Sequence, residues 1–111
     1  MSTLLYIEAS PRKQRSASIE VARAFLAAYA VAHPADRIDT LDLWAADFPP
    51  FDGHALEAKY AGIAGVERTP EQRAIWDRIS ELARPLREAD KIVLSVPMWN
   101  FGIPYRLKHY I

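Results

Sequence analysis

The composition is that of one small globular domain: 111 residues, 50% of them apolar and 25% charged, with 14 basic and 14 acidic side chains. No cysteine is present, which excludes disulfides, thiolate metal sites and a cysteine nucleophile. The balanced charge argues against a nucleic-acid partner, the histidines lack metal-site spacing, and no apolar run nears the roughly 20 residues of a membrane helix, so we expect a cytoplasmic protein without metal.

The first half of the chain predicts a strand, a helix and a second strand. Residues 3–8 are an apolar run rich in strand formers that ends at the breaker Ser10-Pro11. Apolar positions recur at helical spacing over residues 17–33, and Pro34 ends that helix. Its predicted inner face consists of Ala22, Phe25, Leu26 and Tyr29. Residues 38–43 alternate near period two, as in a strand.

The middle of the chain predicts two helices. Residues 44–68 are too long for a structureless loop, so we expect a short helix over Ala55–Ile63. The inner face of this helix is predicted to consist of Leu56, Tyr60 and Ile63. Thr69 and Gln72 form a capping-box pattern, which predicts a helix that begins at Pro70 and runs to about residue 88. Pro85 is expected to kink or end it.

The last part of the chain predicts a third strand and the start of another helix. Ile92–Val96 is a nearly continuous apolar run of the kind found in a buried parallel strand, and Pro104 is placed to open a helix. Strands and helices therefore alternate along the whole chain. This order predicts an α/β fold, with a parallel sheet covered by helices on both faces.

The loop after the first strand has the composition of an anion site. We call residues 10–18 the phosphate loop: it carries three hydroxyl groups, three cationic side chains and a helix N-terminus with unpaired N–H donors. Neither a Walker motif nor a dinucleotide-binding glycine fingerprint is present. The alternative interpretation is an ordinary serine cap in a solvated basic turn.

The loop after the third strand suits a flat aromatic ligand. We call residues 97–104 the ring loop, in which large apolar side chains lie between two prolines, with Asn100 able to address ring carbonyls and nitrogens. The alternative is a hydrophobic loop packed under a helix or at a dimer contact. Together the two loops match a ligand with a phosphate at one end and a planar ring at the other, as in FMN.

Both loops resemble one enzyme family. S-P-R-x-x-x-S-x-S after the first strand and P-M-W-N-F-G-I-P-x-x-L-K after the third are similar to motifs of the FMN-dependent NADH azoreductases and NAD(P)H quinone oxidoreductases. The family often has Gln at the position of Ala17 and Tyr at that of Trp99. The resemblance implies phosphate contacts from Ser10, Ser16, Ala17 and Ser18. It implies isoalloxazine contacts from Met98, Trp99, Asn100 and Phe101.

The resemblance also implies a fold and an activity. It implies a flavodoxin-like, doubly wound three-layer α/β/α domain, of which residues 1–111 form the N-terminal part with strands one to three of five. It further implies tightly bound FMN, NADH or NADPH as donor, a quinone or azo acceptor, ping-pong hydride transfer and a homodimer, without a catalytic acid–base residue in this segment. The alternatives are an NADPH-dependent FMN or chromate reductase and a non-catalytic electron carrier.

Overall fold

The chain divides into two compact units in the computed structural model, which describes residues 1–111. Met1–Ala46 and Glu88–Ile111 form the first unit, and Asp47–Arg87 forms the second. The first contains β1 (Thr3–Glu8), α1 (Ala17–Ala32), β2 (Arg37–Asp42), β3 (Lys91–Ser95) and α4 (Tyr105–Tyr110). The second contains α2 (Gly53–Ile63) and all but the last residue of α3 (Pro70–Glu88). None of the helices is long and apolar enough to cross a membrane.

The three strands form one parallel sheet in the order β2-β1-β3. This confirms the predicted α/β fold, and the order is that of the first three strands of a flavodoxin-like sheet. Glu8, the last residue of β1, pairs with Asp42 of β2 on one side and with Ser95 of β3 on the other. The three strands therefore end side by side, at the edge from which the phosphate loop and the ring loop leave.

One hydrophobic core cluster of the first unit lies between α1 and the sheet. Leu4 and Tyr6 of β1 pack with Ala22 of α1 and are almost fully buried. The partly buried side chains packed against this cluster are Leu26, Tyr29, Ile38 and Val93. Most of the predicted face of α1 is thus confirmed, whereas Phe25 is half-exposed. Burial of apolar side chains of this size stabilises the fold by about 1.5–3 kcal/mol each.

The burial of β3 differs from the expectation for a strand covered on both faces. Ile92 and Leu94 are each 45% exposed. They pair with Leu5 and Ile7 of β1, which are buried. The reason is the position of β3 at the edge of the sheet, where it has a neighbouring strand on one side only, whereas β1 lies in the centre.

The second unit corrects the prediction for α2. Its helix is present, but Leu56, Tyr60 and Ile63 are exposed and the buried residues are Ala55 and Ala58. The hydrophobic pattern alone favoured the larger side chains, whereas the structure buries the face whose small side chains permit close packing.

The prediction for α3 is confirmed at its N-terminus, and the helix does not end at Pro85. Thr69 and Gln72 form the reciprocal capping box, with hydrogen bonds of 3.1 and 3.2 Å. The helix then continues three residues past Pro85 to Glu88. A proline this close to a C-terminus disturbs only the last turn, and the residue whose carbonyl loses its donor, Glu81, is exposed to water.

Candidate functional site

The two candidate loops begin next to each other at the carboxyl edge of the sheet. The N–H of Ala9, directly after β1, donates to the carbonyl of Ser95, the last residue of β3, at 3.0 Å. Because ligands of such sheets bind outside the carboxyl ends of the strands, this edge is where a site is expected.

The serine hydroxyl groups of the phosphate loop organise the loop itself. Ser10 Oγ accepts a hydrogen bond from the N–H of Arg12 at 3.3 Å. Ser16 is the N-cap of α1, and its Oγ accepts from the N–H of Ile19 at 3.2 Å and lies 3.0 Å from Ser18 Oγ. The cap interpretation is therefore correct for Ser16, and an anion site depends on the donors that remain.

Two donors remain at the start of α1. The backbone N–H groups of Ala17 and Ser18 have no acceptor within the chain, as expected for the first residues of a helix. Ala17 is exposed and Ser18 is half-buried. The helix is 16 residues long, and its dipole places about half a positive charge at these donors. The arrangement suits a phosphate group.

A chain of polar side chains lies beneath the phosphate loop. Lys13 Nζ contacts Glu8 Oε1 at 2.8 Å and Asp42 Oδ2 at 2.5 Å. The second oxygen of Glu8 accepts from Tyr6 Oη at 3.3 Å, and Tyr6 Oη shares a hydrogen bond of 2.8 Å with Ser95 Oγ. These linked side chains connect all three strands to the phosphate loop.

The pKa values of these linked polar side chains follow from their burial and from their ion pairs. Burial alone would lower the pKa of Lys13, but hydrogen bonds to Asp42 and Glu8 outweigh it and raise that pKa. Burial alone would raise the pKa of Asp42, but its hydrogen bonds from Lys13 and from the Trp44 N–H lower it. Burial raises the pKa of Tyr6. Lys13 and Asp42 are thus held in their charged forms.

The ring loop is built on a tight turn. Trp99 and Gly102 exchange two backbone hydrogen bonds of 2.8 Å. Asn100 and Phe101 between them have φ values of 50° and 60°, in the left-handed region that a type I′ turn requires. Asn adopts this conformation readily, whereas a bulky aromatic residue is strained there. The side chains of Met98 and Phe101 are left exposed.

Trp44, the first residue of segment 44–68, connects the ring loop with Ala9, the residue before the phosphate loop. Its indole N–H donates to the carbonyl of Ala9 at 2.8 Å, and its ring lies 5.9 Å from that of Trp99 and 5.4 Å from that of Tyr105. The guanidinium of Arg106 lies 5.7 Å from the centre of the Trp44 ring. The available signal was its position just after β2, at the same edge of the sheet as the two loops.

A groove of about 590 Å³ lies between α1 and β3. Ala17 and Ser18 line one part of it, together with apolar side chains of α1 and the end of β3. The ring-loop residues Met98 to Phe101 do not line this groove. The structure places Ser16, Ala17 and Ser18 at the start of α1 and Ser10 just after the end of β1, and of the ring-loop residues it brings Trp99 beside Trp44.

The comparisons with known proteins agree with this geometry. A family model described as a flavodoxin-like fold matches residues 2–111. Over all 111 residues the chain is 55% identical to an FMN-dependent NADH:quinone oxidoreductase 9 of Burkholderia lata, and over 108 residues it is 50% identical to an FMN-dependent NADH:quinone oxidoreductase 2 of Pseudomonas syringae. These matches cover 100% and 97% of this chain, but 53% and 52% of the relatives.

Solved structures show the same likeness. An azoreductase of Bacillus anthracis superposes with a TM-score of 0.88 at 30% identity, covering 99% of this chain and 53% of that protein. An FMN-dependent NADH-azoreductase of the same species, solved in complex with FMN, gives 0.86 at 31% identity with the same coverage. The chain thus spans about half the length of the relatives that it matches.

Proposed function

Because this chain belongs to the flavodoxin-like fold family, we propose that it binds FMN and forms the N-terminal part, residues 1–111, of a flavodoxin-like NAD(P)H-dependent oxidoreductase that reduces quinones and azo compounds. The observation that carries the proposal is the pair of unpaired N–H donors, Ala17 and Ser18, at the N-terminus of α1. The similarity to proteins named FMN-dependent NADH:quinone oxidoreductase and azoreductase supports the activity.

The phosphate of FMN would lie at the start of α1. In this proposal Ala17 and Ser18 donate their backbone N–H groups, and Ser18 adds its half-buried hydroxyl group. Ser10 and Ser16 are buried and hydrogen-bonded within the loop, so we assign them mainly the task of holding it in shape. Ala17 contributes through its backbone, so the absence of a longer side chain at this position is compatible with binding.

The isoalloxazine ring would contact the ring loop. Met98 and Phe101 offer exposed, polarisable apolar surface, and Trp99 is held in place by Trp44. Asn100 is exposed at the turn and can donate or accept a hydrogen bond at the ring edge. The strained backbone of this turn is typical of a functional site.

Bound FMN would supply the redox chemistry, accepting a hydride from NADH or NADPH and passing two electrons to a quinone or azo acceptor that enters after the oxidised nicotinamide has left. The residues of this chain bind and orient the ligands, and we assign none of them an acid–base role. That the protein is a cytoplasmic homodimer stays a prediction.

Two experiments on the full-length gene product test the proposal. The first is an FMN titration monitored by tryptophan fluorescence. FMN should quench the tryptophan fluorescence of the wild-type protein. Trp99→Leu should remove much of this quenching, whereas the matched control Trp76→Leu, in α3, should leave it in place. Quenching unaffected by Trp99→Leu would show that the flavin ring lies elsewhere.

The second experiment separates an enzyme from the alternatives. Steady NADH or NADPH oxidation in the presence of a quinone supports the proposed reductase. Bound flavin without turnover would support an electron carrier instead. Oxidation that depends on free FMN or chromate, and not on a quinone, would favour the FMN or chromate reductase.

A further inference from the structure

Lys13 combines an unusual backbone conformation with a double ion pair. Its φ of 51° lies in the left-handed region, which is strained for a residue with a side chain. Such a conformation persists only where the surroundings hold it. Here the ammonium group is held between Glu8 at 2.8 Å and Asp42 at 2.5 Å.

The two carboxylates are themselves fixed by the sheet. Glu8 and Asp42 are the last residues of β1 and β2 and pair with each other in register. The Glu8 side chain is only 10% exposed, and Tyr6 donates to its second oxygen. The neighbouring cations of the loop differ from Lys13, because Arg12 and Arg15 are exposed and have no carboxylate within salt-bridge distance.

The position of Lys13 is passed on to the start of α1. The carbonyl of Lys13 accepts a hydrogen bond from the N–H of Ser16 at 3.0 Å. Ser16 is the N-cap, so the orientation of the next two N–H groups follows from its position. A shift of the Lys13 backbone would therefore turn the donors of Ala17 and Ser18 away from a bound phosphate.

We propose that Lys13 is a positioning residue for phosphate recognition: clamped by Glu8 and Asp42, it holds the phosphate loop in the shape that presents the Ala17 and Ser18 N–H groups to a phosphomonoester. Since the two carboxylates neutralise its charge, Lys13 acts through geometry rather than by attracting the anion. The inference rests on the proposed function, because it assigns Lys13 to the FMN phosphate.

The test compares FMN with riboflavin, which lacks the phosphate, in the full-length gene product. Lys13→Met removes the clamp at nearly constant side-chain length, and should weaken FMN binding about 10-fold or more, the equivalent of one hydrogen bond to a charged group. Riboflavin binding should change less than about twofold, within the error of such small effects. The matched control Arg15→Met removes the same charge from the same loop. It should weaken FMN binding less than about threefold, because exposed charges are screened.

Lys13→Gly separates the clamp from the backbone. Glycine adopts a positive φ without strain but does not prefer it, so this variant removes the backbone strain together with both ion pairs that hold the loop. We expect it to bind FMN as weakly as Lys13→Met. Wild-type affinity in Lys13→Gly would overturn the inference, because the backbone alone would then suffice.

The remaining outcomes also test the proposed role of Lys13. Equal losses in Lys13→Met and Arg15→Met would show simple charge attraction and overturn the inference. If Lys13→Met does not fold, Asp42→Asn removes one ion pair only, and unchanged FMN affinity in that variant would have the same meaning. Failure of the unaltered protein to bind FMN would overturn the proposed function as well, whereas normal binding by the wild type and by Lys13→Met would overturn this inference alone.

Discussion

The phosphate loop and the ring loop leave the same edge of the sheet but differ in where their side chains point. Ser10 and Ser16 are 1% and 5% exposed and hydrogen-bonded within their loop, whereas Met98 and Phe101 are 74% and 96% exposed. The phosphate loop is thus arranged by contacts within the chain. The ring loop presents apolar surface that only contact with something else can cover.

This difference in exposure indicates how each of the two loops would recognise a ligand. Phosphate binding needs donors fixed in advance, because the cost of ordering them is then met during folding. Stacking on a ring needs apolar area, which tolerates some movement. Trp44 contacts Ala9, directly before the phosphate loop, and Trp99 in the ring loop, so changes at Trp44 should affect both loops at once.

Trp44→Ala is expected to have the largest effect on the stability of the protein. It removes the hydrogen bond to Ala9 and the ring contacts with Trp99 and Tyr105. We expect a loss of about 2–4 kcal/mol in the free energy of unfolding, below the range for a fully buried Trp because Trp44 is half-buried. Urea denaturation measures this loss. Trp76→Ala, in the second unit, is the control that should leave flavin binding unchanged.

Flavin titration then tests whether Trp44 couples the loops. FMN and riboflavin should both bind more weakly to Trp44→Ala, since the spacing between the phosphate loop and the ring loop is disturbed. Weaker binding of FMN with riboflavin unaffected would assign Trp44 to the phosphate loop alone.

The double variant Ser16→Ala/Ser18→Ala should act on the phosphate end only. Its FMN affinity should fall by about 1–3 kcal/mol, because Ser18 loses its hydroxyl contact with a charged group and Ser16 loses the cap that holds the start of α1, with riboflavin affinity retained. Calorimetric titration gives both values. Thr69→Ala is the matched control: it removes an equivalent cap from α3, costs about 1 kcal/mol of stability, and should leave FMN affinity unchanged. Equal losses for FMN and riboflavin would contradict the assignment.

Phe101→Gly should separate stability from binding in the ring loop. Glycine relieves the left-handed backbone, so we expect a gain of roughly 1 kcal/mol in thermal or urea unfolding. Both flavins should nevertheless bind more weakly, because the exposed ring is lost. Asn100→Gly should gain less stability, since Asn tolerates a positive φ. Unchanged flavin affinity in Phe101→Gly would remove Phe101 from the site.

The pH dependence should be the smallest effect, since Lys13 and Asp42 are partly exposed and screened. The folded pKa of Asp42 is lowered, so its contribution to stability is complete above its ordinary value of 3.8 and is lost as the pH falls through the folded value. The folded pKa of Lys13 is raised, so its contribution is complete below 10.5 and is lost as the pH rises through the folded value.

Urea midpoints of the wild type and Lys13→Met measure this contribution. Their difference should stay constant at neutral pH and shrink towards both extremes. The ring loop contains no titratable side chain, so the effect of Phe101→Gly should not vary in this way. A difference that stays the same from neutral pH to well below 3.8 and well above 10.5 would contradict the ion-pair account.

The sequence by itself determined the local elements and the chemical character of both loops. Strands, helices and the caps at Ser16 and Thr69 are encoded within about four residues, through side-chain period and backbone hydrogen bonding. Alternation of these elements was enough to predict the parallel sheet. The resemblance to FMN-dependent reductases depended on two continuous motifs, residues 10–18 and 97–108.

Only the tertiary structure decided which side chains meet across the sheet. Lys13 reaches Asp42, 29 residues away, and Trp44 reaches Ala9, 35 residues away. The buried face of α2 and the exposure of Ile92 were likewise set by neighbours rather than by period. No local pattern carries this information, because ion pairs and ring contacts depend on strand order and register, which bring distant residues to one edge.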